Sequence, residues 1–420
     1  MDVKISVGKT VAQASVQVTG SKSETNRALL LQALYPGISI QNISESDDSV
    51  AMQAALATEQ QVVDIHHAGT AMRFLTAYFA QKEGSSVLLT GSQRMTERPI
   101  SVLVDALRSL GADIEYAGNE GYPPLKITGK KLTGGKVSVK ADVSSQYITA
   151  LLLIAGKLEN GLELTLEGEL TSIPYIKMTL GLLTEVGIQN TFDGNTITVQ
   201  PVTGNLQPTT IVVESDWSSA SYFYSIVALS EAGTSITLSS YRENSLQGDS
   251  ALAGIYKEFG VETKFSGNDI TLSKHNSKPH PRLEIEQAKQ TLNLELNNTP
   301  DIAQTIAVTC FALGVGCHLT GLHTLKIKET DRLEALKTEL TKFGAEVTVT
   351  NDSLTLAPSS NKNEGVEVAT YNDHRMAMAF APLALKVPFV VKDAGVVSKS
   401  FPTFWEDMKK LGFEVKASSH

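Results

Sequence analysis

A recurring order of hydrophobic and polar positions organises the chain. A helical stretch closes on an apolar residue, a glycine follows, then an apolar or small residue, then a β-prone run. The copies run Leu107 to Ile114 around Gly111, Leu183 to Asn190 around Gly187, Tyr256 to Thr263 around Gly260, Leu340 to Val347 around Gly344, and Met408 to Val415 around Gly412. Glycine follows helices because it takes the left-handed conformation without strain, so each copy predicts a helix stop leading into a strand. Successive glycines lie 76, 73, 84 and 68 residues apart. That spacing predicts about six α/β units, each of roughly two helices and several strands, the first of them without a clear copy of the junction. Strands are also expected before helices, at Val16 to Thr19 and at Thr210 to Val213.

Length then bears on domain number. A chain of 420 residues is too long for one small core and predicts two domains or more. Its hydrophobic fraction of 42% and charged fraction of 19% are those of an ordinary globular protein. The longest apolar run, Ile148 to Ala155, is too short to span a bilayer and reads as a buried helix ending at Gly156. The N-terminal residues lack a secretory h-region, and a cytoplasmic protein without a membrane partner is expected. A net charge of −9 argues against general nucleic-acid binding, whose affinity comes mainly from cancelling phosphate charge. Any anion site must therefore concentrate basic residues locally. Cys310 and Cys317 sit in an apolar stretch and read as buried thiols rather than a disulfide or a metal site.

Several segments place hydroxyls and cations where helices begin. In Gly20-Ser-Lys-Ser-Glu-Thr-Asn-Arg27, Ser21 and Glu24 have capping-box spacing, so Lys22 falls at a helix N-terminus and Ser23 and Arg27 share a face. Gly69 and Thr70 precede Arg73, with Thr70 a candidate cap, and Arg94 and Arg98 lie in a polar, turn-rich stretch. Ser144, Ser145 and Gln146 open a strongly apolar helix, and Ser172 and Tyr175 have a similar setting. Asp301, ahead of an apolar stretch, is a cap or a base. Lys328, Glu329 and Arg332 stand within five residues, ordinarily the mark of a surface salt-bridge ladder on a helix. Asn372 or Asp373 caps a helix with His374 and Arg375 in its first turn, where the dipole disfavours cations unless an anion compensates. Lys399 sits in a loop before an aromatic segment. Each feature alone has an ordinary reading as a cap or a solvated charge. Together, in an acidic chain, they point to a cleft for a multiply charged anion.

The chain resembles the 5-enolpyruvylshikimate-3-phosphate synthases, members of the enolpyruvyl transferase family. The segments that carry the likeness occur in family order: Gly20-Ser-Lys-Ser with Asn26-Arg27, Ala68-Gly-Thr-Ala-Met-Arg73, Arg94-Met95 with Glu97-Arg-Pro99, Ser144-Ser-Gln146, Lys328-Glu-Thr-Asp-Arg332 and Asn372-Asp-His-Arg-Met-Ala-Met378. His67, Phe74, Thr324 and Lys326 depart from the family's usual residues. The resemblance implies a two-domain inside-out α/β barrel of six βαβαββ units, three per domain, with pseudo-threefold symmetry. It divides the chain into residues 21–213 and residues 1–20 plus 214–420, with a double crossover hinge near 20 and 213, and a cleft that substrate closes.

The same resemblance implies a transferase that moves the enolpyruvyl group of phosphoenolpyruvate to the 5-hydroxyl of shikimate 3-phosphate, on the way to chorismate and the aromatic amino acids. No cofactor and no metal are implied, and a monomer acting on small molecules is expected. Lys22, Ser23 and Arg27 would hold shikimate 3-phosphate, Ser144, Ser145 and Ser172 its phosphate, Gln146 and Tyr175 its ring side, and Asp301 and Lys328 its hydroxyls. Phosphoenolpyruvate would lie among Lys22, Gly69, Arg94, Gln146, Arg332, Arg375 and Lys399. Asp301 would accept the hydroxyl proton, and Glu329 with Lys22 or Lys399 would move protons at C3. A sister enzyme that uses UDP-N-acetylglucosamine is the nearest alternative, but it carries a reactive cysteine in the loop that here reads Ser92 to Thr96. A non-catalytic binding protein on the same scaffold would be expected to lose Lys22, Asp301, Glu329 or Lys399, all of which are present.

Overall fold

The computed structural model describes residues 1–9, 12–140, 144–168, 170, 173–275 and 291–418. The chain divides into two compact units. Gly20–Val213 forms an inserted unit, and Met1–Thr19 with Glu214–His420 forms a split unit around it in sequence. Each has a hydrophobic core of its own.

One sheet pattern recurs among the described residues: a parallel pair followed by two antiparallel strands. In the inserted unit it appears as Val62–Asp64, Ser86–Thr90, Leu125–Thr128, Asp113–Tyr116 and again as Gly135–Lys140, Leu162–Glu167, Thr196–Val199, Asn190–Asp193. The split unit repeats it three times, as Thr291–Glu295 with Gly316–Thr320, Leu354–Leu356 and Val347–Val349, and in two sheets that recruit N-terminal strands. Gln13–Val16 is the parallel partner of Ser235–Ser239, and Val3–Val7 lies between Phe389–Val391 and Phe413–Ala417. A helix crosses over between the parallel strands and another leads to the hairpin, which gives the βαβαββ unit. The sixth sheet keeps only a parallel pair, Ile38–Gln41 with Thr209–Val212. Its helix Asp47–Ala57 ends in extended backbone at Thr58 rather than at a glycine, so the chain proceeds directly to Val62 with no hairpin between.

The five junction glycines do what their spacing predicts. Gly111, Gly187, Gly260, Gly344 and Gly412 have φ of 102°, 88°, 75°, 96° and 91°, the left-handed region that a side chain would oppose.

Helices come in two kinds. Amphipathic ones, such as Ser101–Ser109 and Arg332–Lys342, bury one stripe against a sheet. Others are buried nearly all round. In the inserted unit these are Lys22–Leu34, Gly69–Gln81 and Ser145–Ile154; in the split unit they are Trp217–Leu229, Ala303–Leu313 and His374–Phe380. Within each unit the three pack on one another. The segments around Lys22, Gly69, Ser144, Asp301 and His374 lie at or just before their N-terminal ends, while residues 328–332 lead into the amphipathic helix Arg332–Lys342. Among the described residues no helix is long and apolar enough to cross a membrane.

Candidate active site

In the split unit the site is built around Arg332. Asp331 caps the helix Arg332–Lys342 by accepting from the backbone N–H of Leu333 and Glu334, so the helix begins at the arginine itself. A side chain there leans back past the N-terminus. Its guanidinium is 2% exposed and meets three carboxylates: Asp373 Oδ2 at 2.7 Å from Nε, Asp301 Oδ1 at 2.9 Å from Nη1 and Glu329 Oε2 at 2.8 Å from Nη2. The expected surface ladder is therefore a buried hub. Burial opposes the Arg332 charge, but Asp373, Glu329 and Asp301 more than reverse this and hold its pKa above the usual arginine range.

Asp301 lies in the short turn Pro300–Ile302 that leads into Ala303–Leu313, and it serves as a meeting point for cations rather than as a cap. Besides Arg332, it has Lys328 Nζ at 3.5 Å from Oδ1 and Arg375 Nη2 at 3.4 Å from Oδ2. Arg375 also donates to the Asp301 carbonyl and to Ser218 Oγ, both at 3.3 Å. Asp373 caps the helix His374–Phe380 by accepting from the Arg375 N–H at 2.9 Å, so one carboxylate both starts that helix and grips Arg332. The anionic partner that Arg375 needs at a helix N-terminus is Asp301. Lys399 closes the turn Ala394–Lys399 and donates to the Asn372 carbonyl at 2.7 Å and to Asn372 Oδ1 at 2.9 Å.

A buried carboxyl behind this cluster escaped the sequence reading. Ser218 donates to Asp249 Oδ2. Burial first, then the negative Asp301 and Asp216, push the Asp249 carboxyl up to about 6. A carboxyl raised on folding holds extra protons in the folded state, so its ionisation subtracts stability as pH rises from the ordinary 3.8 through about 6. Asp249→Asn removes that loss while keeping an acceptor for Ser218. Melting curves should show the variant gaining on the parent between pH 4 and pH 7.5. An equal difference at both pH values would assign Asp249 an ordinary carboxyl.

In the inserted unit, Ser21 caps Lys22–Leu34 by accepting from Glu24 N at 3.4 Å, as the capping-box spacing predicts. Lys22 Nζ stands 4.0 Å from Asp48 Oδ2. Arg27 is buried and ties three helices together, donating to Thr179 Oγ1 at 2.9 Å, Thr149 Oγ1 at 3.2 Å and the Ser23 carbonyl at 2.6 Å. The rings of Phe74 and Tyr175 lie 5.7 and 6.0 Å from it. Burial lowers its pKa to about 10. Ser144 caps Ser145–Ile154 through Gln146 N, and Gln146 Nε2 reaches across to Thr70 Oγ1 at 3.2 Å. Ser172 lies outside the described residues.

One expectation changes here. The helix Gly69–Gln81 starts one residue before Thr70, with Ala68 at the cap position and no side-chain cap bond, so Thr70 is a first-turn residue facing Gln146. Arg94, on the short helix Gln93–Thr96, is exposed and pairs with Glu97 at 3.3 Å. Its neighbour Arg98 is the one that covers Gly69: a methyl group added there would lie 2.5 Å from Arg98 Nη1 and 3.4 Å from Arg73 Nη1. Chain spacing ranks the two arginines equally; only the turn between them separates their directions.

The geometry thus brings Asp301, Lys328, Glu329, Arg332 and Arg375 into one cluster, with Lys399 linked to it through the Asn372–Asp373 loop. Gly69, Thr70 and Gln146 share one wall of the inserted unit. Cys310 and Cys317 are free and buried, and burial pushes the Cys310 thiol well above its usual range.

Known proteins agree with this architecture. A family model for EPSP synthase (3-phosphoshikimate 1-carboxyvinyltransferase) matches residues 50–408. A 3-phosphoshikimate 1-carboxyvinyltransferase of Bacteroides fragilis is 45% identical over 413 residues, covering 96% of each chain. One from Haemophilus influenzae is 36% identical and covers 95% of this chain and 96% of its own. Among solved structures, the EPSP synthase of Acinetobacter baumannii superposes with a TM-score of 0.79 at 22% identity, over 99% of this chain and 100% of its own. An enolpyruvyl transferase from Streptomyces tendae gives 0.75 at 13% identity, over 100% and 99%. The extent of these matches leaves one conclusion: the chain belongs to the EPSP synthase (3-phosphoshikimate 1-carboxyvinyltransferase) family.

Proposed function

We propose that this chain transfers the enolpyruvyl group of phosphoenolpyruvate to the 5-hydroxyl of shikimate 3-phosphate and releases phosphate. The observation that carries the reading is a carboxylate, Asp301, within reach of Arg332, Lys328 and Arg375. A general base surrounded by cations is held ionised but is weakly basic. Phosphate and carboxylate groups of the substrates compete for the same cations, so substrate binding frees Asp301 to accept the hydroxyl proton. The oxygen then adds to C2 of phosphoenolpyruvate while C3 gains a proton, from Glu329 with Lys22 or Lys399. In the second half the C3 proton is withdrawn and the C2–phosphate bond breaks. Arg332, Arg375 and Lys22 stabilise the charge that develops on the way.

In this proposal Lys22, Ser23, Arg27, Ser144, Ser145, Gln146, Ser172, Tyr175, Asp301 and Lys328 hold shikimate 3-phosphate. Lys22, Gly69, Arg94 or Arg98, Gln146, Arg332, Arg375 and Lys399 hold phosphoenolpyruvate. Arg98 is the better candidate of the pair because its guanidinium lies over Gly69. Phosphate release measured with shikimate 3-phosphate, and separately with UDP-N-acetylglucosamine, tests the function. Release with the second acceptor alone would overturn it.

The Gly69 wall has its own test. The group nearest an added methyl is the flexible end of Arg98, so Gly69→Ala should fold normally and displace that guanidinium. Overpacking costs about 1–3 kcal/mol, roughly five- to a hundredfold in binding. In this family the inhibitor glyphosate occupies the phosphoenolpyruvate site and is the larger molecule. Its inhibition constant should therefore rise more than the KM for phosphoenolpyruvate. Equal rises in the two constants would remove Gly69 from the discriminating wall.

A further inference from the structure

The helix Arg332–Lys342 carries a second charge that does not face water. The Glu339 side chain is 0% exposed, although its neighbours Lys337 and Lys342 on the same helix are well exposed. A buried carboxylate is costly unless its oxygens are all engaged. Glu339 Oε1 accepts from the Tyr371 hydroxyl at 2.6 Å, and Oε2 accepts from Lys342 Nζ at 2.6 Å and from the Ala369 N–H at 3.1 Å. Two of these donors belong to the segment between the strand Glu367–Val368 and the helix His374–Phe380. Glu339 therefore fastens that loop, and its contact with Lys342 alone would not require burial.

The loop needs fastening. Tyr371 and Asn372 are consecutive residues with φ of 53° and 57°. Asparagine tolerates this region, but an aromatic residue there is a strained outlier. Strain of this kind persists only where surrounding contacts over-determine the backbone. The contacts on either side are Glu339 on the Tyr371 hydroxyl and Lys399 on Asn372. The double left-handed turn aims the Asn372 carbonyl and its side-chain oxygen at the same ammonium group, and it delivers Asp373 to Arg332 in the next step of the chain. The Tyr371 phenol feels the carboxylate too: burial, then the hydrogen bond and charge of Glu339, push its pKa up to about 12.

We infer that Glu339 and Tyr371 are positioning residues for the transfer reaction, holding Lys399 in place through the strained Tyr371–Asn372 turn. The inference rests on the proposed role of Lys399 at C3, and the experiment separates the two. Tyr371→Phe removes one oxygen and leaves Glu339 paired with Lys342 and Ala369, so the variant should fold. Two readouts are taken. The first is the rate at which trace acetic anhydride acetylates Lys399, read by mass spectrometry against the exposed Lys337 as control. It should rise several-fold in Tyr371→Phe as the turn relaxes and frees the amine. The second is kcat, which should fall roughly ten- to a hundredfold, the cost of a misplaced group, while the KM for shikimate 3-phosphate stays within about twofold. In a Lys399→Ala background the same Tyr371→Phe change should lower kcat no further. Unchanged acetylation of Lys399, or an equal fall in kcat with and without Lys399, would overturn the inference. Faster acetylation combined with a Lys399→Ala variant of parental kcat would keep the positioning of Lys399 and refute its part in the chemistry.

Discussion

Arg332→Met should be the most damaging single change to the stability of the split unit. The substitution keeps much of the side-chain length but removes the charge that Asp301, Glu329 and Asp373 share, at 2.9, 2.8 and 2.7 Å. Those carboxylates stay where they are, since Asp373 also caps a helix and Asp301 still faces Lys328 and Arg375. Removing one partner of a buried ionic cluster costs about 3–5 kcal/mol, because the remaining charges lose their compensation. Urea unfolding should show an unfolding free energy lower by that amount for the split unit, and turnover should disappear. Arg332→Lys restores the charge without the planar fork and should fall between parent and Met. A Met variant with parental stability would mean that the other cations suffice, and that the hub is not what holds these three carboxylates together.

Asp301→Asn should have the largest effect on rate without comparable damage to the fold. The amide oxygen still accepts from Arg332, and the size is unchanged. The lost property is the ability to take a proton. General-base catalysis is worth about a hundredfold or more, so kcat should fall by at least that factor while shikimate 3-phosphate continues to bind. The surrounding cations sharpen the expectation: with the carboxylate gone, Lys328 and Arg375 gain free valence for substrate anions, so affinity should hold or improve. Steady-state kinetics together with calorimetric titration of shikimate 3-phosphate separates the two quantities. Turnover near the parent level would take Asp301 out of the mechanism.

What the sequence made legible was mostly local. Ser21, Ser144 and Asp373 are the caps their patterns predict, because capping depends on residues within one turn. The junction glycines are where chain direction reverses, for the same local reason. Reading failed where a partner comes from far along the chain. Nothing near Arg332 announces Asp301 and Asp373, which are 31 and 41 residues away, so charge spacing suggested a solvated ladder. Arg94 and Arg98 look alike in sequence, and the turn that sends one to Glu97 and the other over Gly69 is a matter of backbone direction. Asp249 and Glu339 gave no signal at all. Each is an ordinary acidic residue whose importance comes from its depth. The family resemblance supplied the remainder, since the order of motifs names residues whose contacts no spacing rule reaches.

The way the split unit is stitched has a consequence for how the chain is made. Among the described residues, Val3–Val7 finds its ladder only with Phe389–Val391 and Phe413–Ala417, and Gln13–Val16 only with Ser235–Ser239. A ribosome releases these two strands hundreds of residues before their neighbours. Between the two events the inserted unit emerges whole, with its own core and sheets, and can condense at once. Val3–Val7 must therefore wait unpaired until Phe389–Val391 and Phe413–Ala417 have been made, which leaves it open to mispairing during biogenesis.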